Sequence, residues 1–244
     1  MNEILEPHEI ARTLSVIVPI LNEHGELPKL VSHLNSIGAE QVIVIDGGSV
    51  DGGLQWLRQF WENHELGRIV LKSPAGRAIQ MNVGAQISQG DLLLFLHADS
   101  RLPKGAKQEV LDARENQNLW GRFDIAFACS KKLRLAMQVI SMFINIRSKL
   151  TSIVTGDQAM FVDHITFQKV GGFKNIPLME DIAISKALKK HSVPHCSQLK
   201  VLTSARRWEQ GGVIRTVLLM WYLRFAYFCG MSPKRLVQIY RQAR

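Results

Sequence analysis

The sequence predicts an α/β fold, a mostly parallel sheet flanked by helices with a helical appendage at its C-terminal end. Three observations carry that expectation. Short runs that are apolar almost throughout, among them residues 14–20, 41–45 and 92–96, read as strands buried on both faces. Segments with apolar residues at helical spacing separate them, and this alternation marks a doubly wound parallel sheet. Past residue 210 the alternation gives way to a long apolar stretch and a basic end.

Taken in order, residues 14–20 form the first strand, ended near Pro19, and Asn22-Glu23-His24-Gly25 turns into a helix over 27–37 with Leu27, Leu30, Val31 and Leu34 on one face. A second strand over 41–45 runs into Asp46-Gly-Gly-Ser-Val-Asp-Gly-Gly53, a loop of turn residues. Helix 54–61, strand 68–72, loop 73–77 and helix 78–87, with small residues on one face, come next. The run Leu92 to Leu96 is a central strand that stops at His97-Ala98-Asp99, and Pro103 bars its continuation. The rhythm then loosens: helix 104–116, strand 120–127, a long helix over 131–150, strand 157–162, a turn at Gly171-Gly172-Phe173, helix 179–188 and strand 195–203. No repeat or linker divides the chain, so we expect an N-terminal arm over 1–13, one domain over 14–210 and C-terminal helices over 211–244.

The 244 residues are 46% apolar and 21% charged, an ordinary globular composition. Cys129, Cys196 and Cys229 stand far apart, which argues against a disulfide framework or a structural zinc site and fits a reducing compartment. The first residues carry no secretory signal, so the expected location is the cytoplasm, at or near the inner face of the cell membrane. Of the net +9, nearly all sits from Lys200 onward, where nine Lys and Arg face one acid, Glu209. Such a tail suits phosphates or an anionic membrane, or is simply a solvated basic face; no nucleic-acid partner is expected. Residues 213–230 are apolar nearly all round, with Arg215 and Arg224 inside. Two arginines make a bilayer span costly, and at about 100° per residue they fall on opposite faces, spoiling a clean interfacial stripe. A buried helix, a homodimer contact and peripheral membrane contact remain open for this segment.

The chemistry lies at strand ends. There is no G-x-G-x-x-G after the first strand, no P-loop and no G-x-S-x-G elbow. Instead Glu23, Asp46, Asp51, Arg77, Asp99, Glu180, Asp181, Arg206 and Arg207 gather at predicted strand ends and loops. Open α/β sheets bind ligands at the carboxyl edge. Acids with arginines there suit a charged leaving group held by a metal, with a carboxylate base nearby. Each residue has a blander reading. Asp99 caps a turn, Asp46 and Asp51 shape an Asx turn, Glu180 and Asp181 are first-turn helix acids, Arg206 and Arg207 are surface charge, and Trp208 is packing.

Ser15-Val-Ile-Val-Pro-Ile-Leu-Asn-Glu23, Ile45-Asp-Gly-Gly-Ser-Val-Asp-Gly52, Leu94-Phe-Leu-His-Ala-Asp99 and Glu180-Asp181 resemble, in order and spacing, the family 2 glycosyltransferases of the GT-A fold. Gly76-Arg-Ala-Ile-Gln-Met-Asn82, Gly156-Asp-Gln158, Thr203-Ser-Ala-Arg-Arg-Trp208 and Gly230-Met-Ser-Pro-Lys-Arg235 are similar to the subgroup of radical-SAM/selenodomain-associated, or arsenosugar-biosynthesis, glycosyltransferases. The resemblance implies a nucleotide-diphosphate sugar donor, UDP-sugar favoured, a hydroxyl acceptor, a divalent metal (Mn²⁺ or Mg²⁺) and inversion at the anomeric carbon. It places Pro19, Asn22, Glu23, Asp46, Gly48, Ser49, Arg77, Asn82, His97, Ala98, Asp99, Arg206 and Arg207 about the donor. Asp99, with His97, would hold the metal. Gly156, Asp157, Gln158 and Trp208 fall on the acceptor side, Asp181 is the base and Glu180 its neighbour. Two positions depart from the family pattern. Its second loop acid is Gly47 here, and the first acid of its Asp-x-Asp motif is His97. Alternatives are a nucleotidyltransferase acting on a sugar phosphate and a membrane-docked protein of the same fold with a weak site.

Overall fold

The computed structural model describes residues 12–61 and 67–243. Among them one eight-stranded sheet runs through the molecule: β1 (Leu14–Ile20), β2 (Gln41–Asp46), β3 (Arg68–Lys72), β4 (Leu92–Phe95), β5 (Ser100–Arg101), β6 (Trp120–Ala128), β7 (Phe161–Asp163) and β8 (His195–Ser204), in the order β3-β2-β1-β4-β7-β6-β8-β5. The helices are α1 (Leu27–Ser36), α2 (Gly53–Trp61), α3 (Arg77–Ile87), α4 (Ala106–Glu115), α5 (Arg134–Thr151), α6 (His164–Lys169), α7 (Glu180–Leu188), α8 (Arg206–Gly211), α9 (Val213–Phe228) and α10 (Pro233–Gln242). The expected arm over 1–13 lies outside the described residues except for Arg12 and Thr13.

Strands β3, β2, β1 and β4 are parallel, and alternate residues along them feed two cores, as expected of strands buried on both faces. Val16, Val18, Val42, Val44, Leu92 and Leu94 pack with α1, α2 and α4. Ile17, Ile43, Ile45, Leu93 and Phe95 pack with α3, α6 and α7. Beyond β4 the sheet is mixed, because β7 runs antiparallel to both β4 and β6. At that junction Gly121 pairs with Phe161 and His195, and a Cβ there would stand 2.6 Å from the His195 carbonyl oxygen. Gly121→Ala should therefore cost about 1–3 kcal/mol by overpacking, read as a lower urea midpoint at unchanged slope.

Several elements differ from the sequence expectation. The strand expected over 157–162 begins only at Phe161, since Gly156–Gln158 forms a 3₁₀ turn capped by Thr155 and Gln158 together. Helix α6 was not anticipated, although the Asp163 carboxylate accepts from the Thr166 N–H at 2.9 Å as an N-cap. Helix α10, with Ser232 at its N-cap and Pro233 as its first residue, falls within the expected C-terminal helices. Helix α9 is only partly buried. Leu223 and Ala226 pack with Met179, Ile182 and Leu236 in a small separate core, while Trp221, Phe225 and Phe228 stay exposed. Among the described residues no helix is long and apolar enough to cross a membrane.

Candidate functional site

The loops that leave β1 and β2 are bolted to each other at the carboxyl edge of the sheet. Asn22, at φ 54°, donates its N–H to Ser49 Oγ at 2.8 Å, and its Oδ1 accepts from the Val50 N–H at 2.9 Å. The His24 N–H donates to Asp51 Oδ2 at 2.8 Å, and this and other backbone donors hold the Asp51 carboxyl below its ordinary range. Asp46 is fully buried and accepts from the Gly48 N–H at 2.9 Å and the Ser49 N–H at 3.1 Å, so it builds the Asx turn held open in the sequence reading. Pro19 is the one residue of β1 that is not fully buried, and it pairs in register with Ile45.

A residue the sequence reading did not assign ties this edge together. Gln80 Nε2, on α3, donates to the carbonyls of Ile20 and Ile45, both at 2.8 Å, fastening the ends of β1 and β2. Its amide also lies on Gly47, where a Cβ would come within 3.0 Å of Gln80 Cδ and Oε1. The Gln80 amide thus fills the space that a longer residue 47 would claim, a physical reason for glycine in that loop. Its signal was the stretch Gly76-Arg-Ala-Ile-Gln-Met-Asn82, quoted for likeness and not for geometry. Gln80→Leu removes this donor from both carbonyls, of which the Ile20 oxygen keeps the Gly47 N–H at 2.9 Å, and should cost about 1–3 kcal/mol. Thermal unfolding without ligand would measure it.

A second group of side chains collects at the start of α7. Arg77 Nη1, at the N-terminal end of α3, stands 3.7 Å from Glu180 Oε1. Asp181 Oδ2 accepts from the Gly156 N–H at 3.2 Å and its Oδ1 from the Ile182 N–H at 2.8 Å. Burial raises both carboxyls. For Glu180 the Asp181 charge adds to the rise and Arg77 opposes it; for Asp181 the Ile182 N–H and the Arg224 charge oppose it. A small cavity joins these acids to Arg77, His97, Gly156 and Phe173. His97 is held well below its usual range, first by burial and then by Arg77 and Arg207, so its imidazole is neutral. Its Nε2 is buried without a hydrogen-bond partner, and a Cβ on Gly156 would come within 2.7 Å of it.

Asp99 sits in the turn after β4, and its charge, behind burial and opposed by Arg206, raises the Glu23 carboxyl. Arg206 Nη2 lies 4.0 Å from Glu23 Oε2, so the two outer loops and α8 share one field. Arg101 Nη1 braces this turn by donating to the Ala98 carbonyl at 2.8 Å. Among the described residues no group of three or more His, Cys, Asp and Glu converges on a point where a metal would sit. The set fits the other kind of site, in which one or two carboxylates hold Mg²⁺ or Mn²⁺ and substrate phosphates complete the shell.

Other expected residues are engaged elsewhere. Both ends of the Asn82 amide bond the Phe173 backbone, at 2.8 and 2.9 Å, which fixes the Gly172–Phe173 turn. Gln158 is fully buried and donates to Ser148 Oγ at 3.0 Å. Arg207 lies over the Tyr240 ring, 5.6 Å from its centroid, and Trp208 packs edge-on to Phe127 at 5.7 Å. Asp157 Oδ1 is buried without a hydrogen-bond partner, and so are Nε and Nη2 of Arg147, on α5. Burial lowers the Arg147 pKa to about 10, with the Arg224 charge next, and Asp157 and Asp181 oppose the shift. From sequence, Arg224 stands opposite Arg215 and spoils a clean interfacial stripe. In the fold it is half-buried, and its charge acts on Asp181 and Arg147.

Residues 15–173 match the family model "Glycosyl transferase family 2". The chain is similar to the undecaprenyl-phosphate 4-deoxy-4-formamido-L-arabinose transferase of Aeromonas hydrophila, 26% identical over 147 residues that cover 52% of this chain and 45% of that protein. It is also similar to the uncharacterised glycosyltransferase YfnE of Bacillus subtilis, 31% identical over 106 residues, 42% of this chain and 27% of that one. It therefore spans less than half the length of either relative. Among solved structures, S. aureus TarS 1-349 in complex with UDP-GlcNAc superposes with a TM-score of 0.61 at 17% identity, covering 79% of this chain and 58% of that one. The mannosyltransferase PcManGT from Pyrobaculum calidifontis, in complex with GDP-Man and Mn²⁺, does so with a TM-score of 0.62 at 15% identity, covering 98% and 73%. These likenesses support a GT-A fold.

Proposed function

Because the chain belongs to the family 2 glycosyltransferases, we propose that it moves a sugar, with inversion, from a nucleoside-diphosphate sugar to an acceptor hydroxyl. The observation that carries the reading is Asp181. It is a half-buried carboxylate at the start of α7, held by two backbone N–H groups, in a cavity that reaches Arg77 and the end of β4. Asp181 takes the acceptor proton as the acceptor oxygen bonds to the anomeric carbon. The bond from that carbon to the diphosphate breaks, and its electron pair leaves with the nucleoside diphosphate. A single displacement of this kind inverts the centre. Asn22, Ser49 and the loop shaped by Asp46 receive the nucleoside, with UDP-sugars as the favoured class. Arg77 and Arg206 face the diphosphate. Asp99 would hold a divalent cation, which when bound offsets the charge of the leaving diphosphate. Glu180, paired with Arg77, keeps that guanidinium in place.

Thermal shift with UDP, GDP, UDP-GlcNAc and GDP-mannose, each with and without Mn²⁺, tests the donor half, because a ligand that binds the folded state raises its apparent stability. One nucleoside series should stabilise the protein, and more so with metal. Consumption of a nucleoside triphosphate with a sugar 1-phosphate, without response to any nucleoside diphosphate, would overturn the proposal in favour of nucleotidyl transfer.

A further inference from the structure

Helix α5 buries Met137 but leaves most of its large apolar side chains outside. Its inward side carries Asn145 and Ser148, which bond β6 and Gln158, whereas Leu135, Val139, Met142, Phe143, Ile146 and Leu150 face solvent. These six recur at helical spacing and form one stripe. Helix α9 repeats the arrangement, with Ile214, Leu218, Trp221, Tyr222, Phe225 and Phe228 exposed, up to 81% at Phe228. Exposed apolar stripes on this scale mark an interaction site. Charge says which kind. No Asp or Glu occurs in α5, α9 or α10, while Arg134, Lys149, Arg215, Lys234, Arg235 and Arg241 are exposed on them. Two copies pairing through this face would set its basic rim against itself, since a two-fold contact uses the same patch on both sides. An anionic bilayer complements both features: apolar side chains and the Trp221 and Tyr222 rings enter the interface, and lysines and arginines meet the headgroups. A groove of about 790 Å³ between α5 and β6 shares Met142 and Ile146 with the stripe and offers further room for acyl chains.

We infer that α5 and α9 together dock this protein on an anionic membrane surface, without crossing it. Arg147, whose Nε and Nη2 are buried, and the half-buried Arg224 lie on the same two helices and couple by charge to Asp181, so docking brings that side of the site to the bilayer. The inference goes beyond the transfer reaction, and lipid binding can be read without any donor. The full chain is floated with phosphatidylcholine vesicles, with and without phosphatidylglycerol, and its mass in solution is measured by light scattering. A monomer that floats roughly tenfold better with the anionic lipid, and less in high salt, is expected. On the same vesicles Trp221 emission should shift to the blue, a shift absent in Trp221→Phe. Phe143→Glu combined with Phe225→Glu, both at exposed positions, should abolish flotation and leave the far-UV circular dichroism and nucleotide-induced thermal shift unchanged. Failure of the wild type to float with anionic vesicles overturns the inference. So does a dimer that the double substitution splits, which would make this face a contact between copies.

Discussion

Asp181→Asn should lower the rate of sugar transfer by about 10²–10⁴-fold, the span expected when a general base is lost. Donor affinity should hold, because the donor binds before any proton moves. Glu180→Gln should cost less in turnover, since Glu180 acts through its pair with Arg77, and its effect should fall on donor affinity. Transfer rate and donor affinity for both variants decide the assignment; if Glu180→Gln is the slower enzyme, the base is Glu180. pH gives a second readout. Burial raises the Asp181 carboxyl above its ordinary value, so the ionised base is lost as pH falls through that raised value. The acidic limb of the rate profile should lie above the range of an exposed aspartate, and the asparagine variant should lack it. The stability sign follows from the same shift. The folded state holds the proton more tightly than the unfolded one, so acidification from above the raised pKa down to the ordinary one relieves a destabilisation present at higher pH.

The second large effect falls on Asp99. Asp99→Ala should erase the metal-dependent part of donor stabilisation and leave the ligand-free unfolding temperature unchanged. At a donor concentration about a hundredfold over Kd, full binding contributes about 2.7 kcal/mol, so the metal-linked part of the shift should be measurable. His97→Gln should retain metal dependence, because His97 Nε2 is buried against Gly156 on the side of the Asp181 cavity. If His97→Gln loses it and Asp99→Ala does not, the ligand roles are reversed.

Strand ends were legible because burial on both faces leaves almost nothing polar inside the run. Leu92 to Leu96 could only end where His97 and Asp99 begin, and 14–20 and 41–45 read as strands although each buries one polar residue, Ser15 and Gln41, which bond each other. Side-chain commitments were not legible. Whether Asp46 reaches outward or caps its own loop depends on the Gly48 and Ser49 N–H groups, whose direction follows from φ +96° at Gly48. The Gln80 bridge joins carbonyls 60 and 35 positions away, a relation no local pattern encodes. The segment 157–162 misled because its composition suits a strand, while Thr155 and Gln158 close a capped turn across its first residues. On residues 213–230 the spacing set Arg215 and Arg224 on opposite faces and left burial, pairing and membrane contact open; packing of Leu223 and Ala226 on Met179 and Ile182 decides which side is covered.

That packing has a bearing on modularity. Residues 211–244 look from sequence like an attachment that could be trimmed or exchanged. In the fold, Leu223, Ala226 and Leu236 share a core with Met179 and Ile182, which flank the Glu180–Asp181 pair, and the Arg224 charge acts on Asp181 itself. A tail grafted from a relative would carry a different cation, or none, to that carboxylate and would reset its proton affinity along with its surroundings. Tail and Asp181 are therefore coupled, and a chain cut at residue 210 would lose both the Arg224 charge on that carboxylate and the packing beneath it.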